Sequence, residues 1–138
     1  MKRNQKGFTL MEMLIVVAII AVLVAIAIPT FTAQLHKARV AADWANVRAY
    51  YAQIQADYML TGEKNPKVKV INEGVIPDQY NISFLDGATV KLQAGAYWVV
   101  FNKEDGDKRS GYTVAYNCSV AGHNHHELVL GDPGEQKP

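Results

Sequence analysis

Glu12 is a carboxylate set one turn inside a run that is otherwise almost wholly apolar, FTLMEMLIVVAIIAVLVAIAIPTF, in which residues 13–28 carry no polar side chain. If helical, residues 8–28 cover roughly 31 Å at ~1.5 Å per residue, about the thickness of a bilayer core. A charge in such a helix costs on the order of 2.5–3.5 kcal/mol at the bilayer centre, less near the interface, so Glu12 needs a chemical task. Ahead of the run stands MKRNQKG, with Lys2, Arg3 and Lys6 and no acid. The positive-inside bias keeps that flank cytoplasmic and sends the remainder of the chain outward. Gly7 separates the basic part from the apolar part. Cleavage after Gly7 would give Phe8 a new α-amine one i,i+4 step from Glu12. The amine of a neighbouring copy could meet the same carboxylate, giving a charge stranded in lipid its partner on assembly.

Gly7-Phe8-Thr9-Leu10, then Glu12 and Pro29, closely resemble the class III leader of type IV pilins and type II secretion pseudopilins. The resemblance covers about the first thirty residues. It implies cleavage after Gly7 by a membrane prepilin peptidase, N-methylation of Phe8, Glu12 as the assembly glutamate and Pro29 as a helix-kinking proline. Ala21 stands where many members carry glycine, so helix melting between there and Pro29 is less expected. A competing pattern is Ala25-Ile26-Ala27, the A-x-A of a conventional secretory signal, which would release a soluble product after Ala27. Glu12 within the run and Gly7-Phe8 at its head argue for the pilin-type leader.

Beyond the leader, few residues suggest chemistry. His123, His125 and His126 with Glu127 form the cluster HNHHE; a strand would put His123 and His125 on one face, candidate ligands for Zn²⁺ or Cu²⁺. Its place after Gly122 reads better as a solvated loop. Glu104, Asp105 and Asp107 in a polar turn are candidate oxygen ligands for Ca²⁺, although the spacing is not that of an EF-hand. The family resemblance adds to this, since major pseudopilins bind calcium near their sheet. Lys64, Lys67 and Lys69 are a weak phosphate-binding signal. Asn81-Ile82-Ser83 and Asn117-Cys118-Ser119 match the glycosylation sequon by coincidence. Ser110, Ser119 and Cys118 have no neighbouring base or orienting group, so the chain does not read as an enzyme and no cofactor is expected apart from the calcium candidate.

Charge agrees with that reading. The 138 residues carry 14 basic and 13 acidic side chains, and without Lys2, Arg3 and Lys6 the balance becomes 11 against 13. Nucleic acid is therefore not an expected partner. The one cysteine, Cys118, excludes an intrachain disulfide and reads as a small buried hydrophobe in a strand. Many Gram-negative type IVa pilins staple their C-terminal region with a cysteine pair. The departure turns the resemblance toward pseudopilins or Gram-positive pilins.

The elements follow from periodicity. Residues 30–61 contain no glycine or proline and continue the helix. Val40, Trp44, Val47, Tyr51, Ile54 and Tyr58 make one bulky stripe, suited to packing under a head domain. Ala38, Ala42, Ala45, Ala49, Ala52 and Ala56 make a second, on which a neighbouring helix could approach closely. Gly62 is a C-cap. A short strand is predicted at 68–71, then strands at 82–85 and 89–92 about Asp86-Gly87, at 96–102, at 112–118, and weakly at 127–130. The predicted fold class is α+β, a long N-terminal helix packed against a small antiparallel sheet, the lollipop the resemblance also implies. The predicted organisation is a leader at 1–7, a membrane and assembly helix at 8–29, an amphipathic helix at 30–61, a loop and sheet head at 62–130, and a flexible tail at 131–138. The function read from this is a filament subunit, of a pilus or of a secretion or competence pseudopilus. Its partners would be pilin subunits, the prepilin peptidase, an assembly platform with its ATPase, and the inner membrane. The reading of another class is a membrane-anchored monomeric binding domain.

Overall fold

The computed structural model describes residues 7–71, 79–103, 110–119 and 127–131. The described elements are one helix, α1 (Leu10–Thr61), and five strands, β1 (Asn81–Ser83), β2 (Thr89–Lys91), β3 (Gly95–Asn102), β4 (Gly111–Cys118) and β5 (Leu128–Leu130). The fold is α+β with antiparallel pairing throughout. Contacts divide the chain into two compact units, Met1–Lys37 and Ala38–Pro138.

In the first unit, α1 carries Pro29 inside it, and helical structure continues through the proline. Proline supplies no N–H and strips its i−4 carbonyl of a donor. Hydroxyls nearby bond main-chain oxygens: Thr30 Oγ1 donates to the Ile26 carbonyl at 3.3 Å, and Thr32 Oγ1 to that of Pro29 at 2.9 Å.

In the second unit, α1 buries Val40, Asp43, Val47, Tyr50 and Ile54, spacings of three and four that define one face. Trp44, Tyr51 and Tyr58, expected in that stripe, flank it half-buried. The six alanines of the second stripe are all exposed. Gly62 ends α1 as predicted, with φ of 71° and its N–H on the Tyr58 carbonyl at 2.8 Å.

The strands form two sheets rather than one: a β1-β2 hairpin and a three-stranded β3-β4-β5 meander. The break between them has a physical cause. The N–H groups of Gln93 and Ala94, just before β3, go to the Asp43 carboxylate on α1 instead of to a neighbouring strand. The strand predicted at 68–71 does not form. Val68 and Val70 are buried, which produced the alternating signal, but the backbone here turns about Asn65. The Val68 N–H bonds the Asn65 carbonyl, and the Lys67 N–H its side-chain oxygen. The core lies between the buried face of α1 and one face of the sheets, with Ile82, Tyr97, Val99, Tyr112, Val114, Tyr116, Cys118 and Leu128 opposite the helix. Cys118 is buried in β4, as its sequence context suggested.

Candidate functional site

The residues singled out by type and spacing gather at the start of α1. Gly7, Phe8 and Thr9 precede the helix and are exposed. A Cβ at Gly7 would meet nothing within 4 Å, so this fold itself does not demand glycine there. Thr9 is the N-cap. Its N–H donates to Glu12 Oε2 at 2.8 Å, while the Glu12 N–H donates to Thr9 Oγ1 at 3.3 Å. This reciprocal pair is a capping box, which satisfies two of the main-chain donors that every helix start leaves open. The T-x-x-E spacing of Thr9 and Glu12 is the sequence signature of this box. The Glu12 carboxylate thus has a local partner in the single chain, in addition to any it meets on assembly. Its charge also sits at the positive end of the helix dipole.

From Leu10 onward the helix is long and apolar enough to cross a membrane, and none of that apolar stretch is buried against the rest of the chain. Ile15, Ile19, Val22 and Leu23 are among the exposed side chains. Such a surface is stable only in lipid or against other apolar surfaces.

Glu104, Asp105, Asp107, His123 and His125 lie outside the described residues. Among the described residues, no three metal-ligating side chains lie together. Lys67 and Lys69 are exposed on the turn after α1, with the buried Val68 between them.

Sequence reasoning missed the polar residues by which α1 holds the sheets. Asp43 Oδ1 accepts the Gln93 N–H at 2.8 Å; Oδ2 accepts the Ala94 N–H at 2.7 Å and the Tyr116 hydroxyl at 2.9 Å. Gln53 Oε1 accepts the Leu85 N–H at 2.8 Å, and Gln55 Oε1 the Tyr112 N–H at 3.1 Å. Burial and the bond to Asp43 push the Tyr116 phenol well above its ordinary range. Burial does the same for Tyr50, with Tyr97 and Tyr112 adding to it. The available signal was Asp43 itself, an acid set between Val40 and Val47 on the buried face.

A capped carboxylate at the head of an exposed apolar helix, followed by a helix-and-sheet unit, is the arrangement that the leader resemblance implies. The prokaryotic N-terminal methylation motif matches residues 2–28. The chain is 33% identical over 86 residues to the fimbrial protein EcpB of Eikenella corrodens, covering 59% of this chain and 50% of that protein. It is 54% identical over 50 residues to the type IV narrow pilus major component PilA5 of Thermus thermophilus, covering 34% of this chain and 43% of that protein. The chain thus spans about half the length of the curated relatives it matches. No solved structure matches it. Over these stretches the chain is similar to a methylation-motif leader and to fimbrial and type IV pilus proteins.

Proposed function

We propose that this chain is a structural subunit of a type IV pilus-like filament, cleaved after Gly7, N-methylated at Phe8 and polymerised through its N-terminal helix. The observation that carries the reading is the apolar first part of α1, exposed in the single chain with a carboxylate at its head. A bilayer covers that surface before assembly, and the helices of other subunits cover it afterwards. The amine of one processed subunit then pairs with Glu12 of another. The space around Gly7 is open, so a small residue there would serve a peptidase and not the packing of this fold. Prepilin peptidase, an assembly platform and its ATPase are the partners this function needs, and the inner membrane is where the subunit waits. The relatives named for fimbriae and pili favour a surface pilus over a secretion pseudopilus. The test is to shear cells, collect the released filaments and determine the N-terminus by mass spectrometry. Methylated Phe8 in the sheared fraction is the expected result. A soluble product beginning at Ile28 would overturn the reading.

A further inference from the structure

The face of the three-stranded sheet turned away from α1 holds a trough of about 210 Å³, bordered by Trp98, Val100, Thr113, Ala115, Glu127 and Val129 with Asn102 at one end. Register explains its shape. Trp98 pairs with Ala115, Val100 with Thr113, and Ala115 with Val129, so the small Ala115 on the central strand lies between the larger Trp98 and Val129. Two groups facing the trough have no hydrogen bond, ion pair or ring contact among the described residues: the Trp98 indole and the Glu127 carboxylate.

Resting on the filament reading above, we propose that this trough receives a lysine side chain from a second copy of the chain. Its volume falls below the ~300–1,000 Å³ of small-molecule sites, which favours one inserted side chain over a free ligand. Val100, Ala115 and Val129 suit the methylenes of a lysine, which bury readily while the charged head stays polar. The indole face and the carboxylate both attract a cation. The chain itself supplies the donor. Lys67 and Lys69 are exposed and without ion pairs among the described residues. The valines that alternate with them, Val68 and Val70, are 2% and 1% exposed and anchor the backbone that presents them. An anchored backbone loses less freedom when its side chains dock.

The test uses full-length chain in cells that assemble it. Glu127→Lys, and separately Lys67→Glu with Lys69→Glu, should weaken subunit association about tenfold and lower the sheared filament yield, because each sets like charges together. Combining all three substitutions should restore the yield. Glu127→Cys paired with Lys67→Cys or Lys69→Cys should give intermolecular disulfides within filaments, and each introduced cysteine alone, beside the buried native Cys118, should not. Glu127 is exposed, so its reversal leaves the fold intact, which protease resistance of the membrane-bound monomer checks. If wild-type cells make no filaments, the function proposed above fails. If wild-type filaments form and the reversals neither lower nor rescue the yield, the trough is not this contact and the inference fails alone.

Discussion

The Tyr116 hydroxyl donates a 2.9 Å hydrogen bond to Asp43 Oδ2 across 73 positions of sequence, and both residues are 0% exposed. A buried carboxylate is costly unless its lone pairs are filled, and here Gln93 and Ala94 supply two main-chain donors beside the phenol. One side chain of α1 thereby holds the turn into β3 and the second half of β4.

Removing either partner should be expensive and unequal. Tyr116→Phe leaves Asp43 with two donors and should cost about 1–3 kcal/mol. Asp43→Ala leaves two N–H groups and a phenol unsatisfied and should cost more, about 3–5 kcal/mol. Asp43→Asn should fall between, because its amide nitrogen must face a donor. Urea unfolding of the detergent-solubilised chain, followed by tryptophan fluorescence, measures the order. Equal losses from all three would show that the bonds contribute nothing beyond side-chain volume.

Two buried tyrosines, Tyr50 and Tyr116, set an alkaline limit. Tyr50 and Tyr116 hold their protons in the fold to higher pH than in the unfolded chain, whose phenols titrate near 10. Below pH ~10 both states are protonated and the stability is fully present. Above it the unfolded chain releases protons that the fold retains, so stability is lost as pH rises toward the raised values. The melting temperature should therefore hold between pH 8 and 9.5 and fall by pH 11 (~1 unit above the unfolded value). Tyr50→Phe should flatten that fall.

Gly95 should tolerate no side chain. A Cβ there would overlap the Asn117 carbonyl and the Tyr116 ring, both held in β4. Gly95→Ala should cost about 1–3 kcal/mol by overpacking. At Gly87 the space is open but φ is 95°, so Gly87→Ala pays only for backbone strain, about 1–2 kcal/mol. Thermal melts of the two variants compare a steric cause with a conformational one.

Much of this architecture was legible because apolar periodicity reports burial. Val40, Val47 and Ile54 marked the inner face of α1, the alanines marked the outer one, and the strand runs at 96–102 and 112–118 lie within β3 and β4. Tyr50 and Asp43 were missed because a stripe drawn through the bulkiest residues was rotated toward Trp44, Tyr51 and Tyr58. The false strand at 68–71 shows the limit of alternation: Val68 and Val70 alternate because they face a core, whether or not a ladder forms. The capping box was visible as T-x-x-E, yet a carboxylate in an apolar run drew attention to membrane cost rather than to the helix start.

The two faces of α1 can be separated by substitution. Tyr50 is 3% exposed and makes edge contacts with Phe84 and Tyr97, so Tyr50→Ala should cost about 3–5 kcal/mol. Ala45 is exposed, so Ala45→Leu should change stability by less than about 0.5 kcal/mol. If a neighbouring helix lies on the alanine face, Ala45→Leu should still lower filament yield. Comparing melts of the monomer with sheared yield tests both halves, and a normal yield would remove that face from assembly.

Glu12 has two candidate tasks, and glutamine distinguishes them. The capping bond from the Thr9 N–H requires an oxygen acceptor at the end of the side chain, which both glutamate and glutamine provide. Pairing with the Phe8 amine of an adjacent subunit requires the charge as well. If capping is the whole task, Glu12→Gln should assemble like wild type, and Thr9→Val, which removes the reciprocal hydroxyl, should be as harmful as Glu12→Val. If charge pairing drives assembly, Glu12→Gln and Glu12→Val should both be cleaved after Gly7 yet fail to enter filaments. Glu12→Asp should then recover part of the yield, its charge being right and its reach one methylene short. Neither neutral variant should leave the membrane, because each removes an unfavourable charge from the apolar run. A gel shift follows cleavage, and the sheared fraction reports assembly. We expect the charge result, since a capping bond worth about 1 kcal/mol at an exposed helix start is small beside an amine and a carboxylate paired away from water. Normal filament yield from Glu12→Gln would sink the pairing mechanism and leave Glu12 as a helix cap.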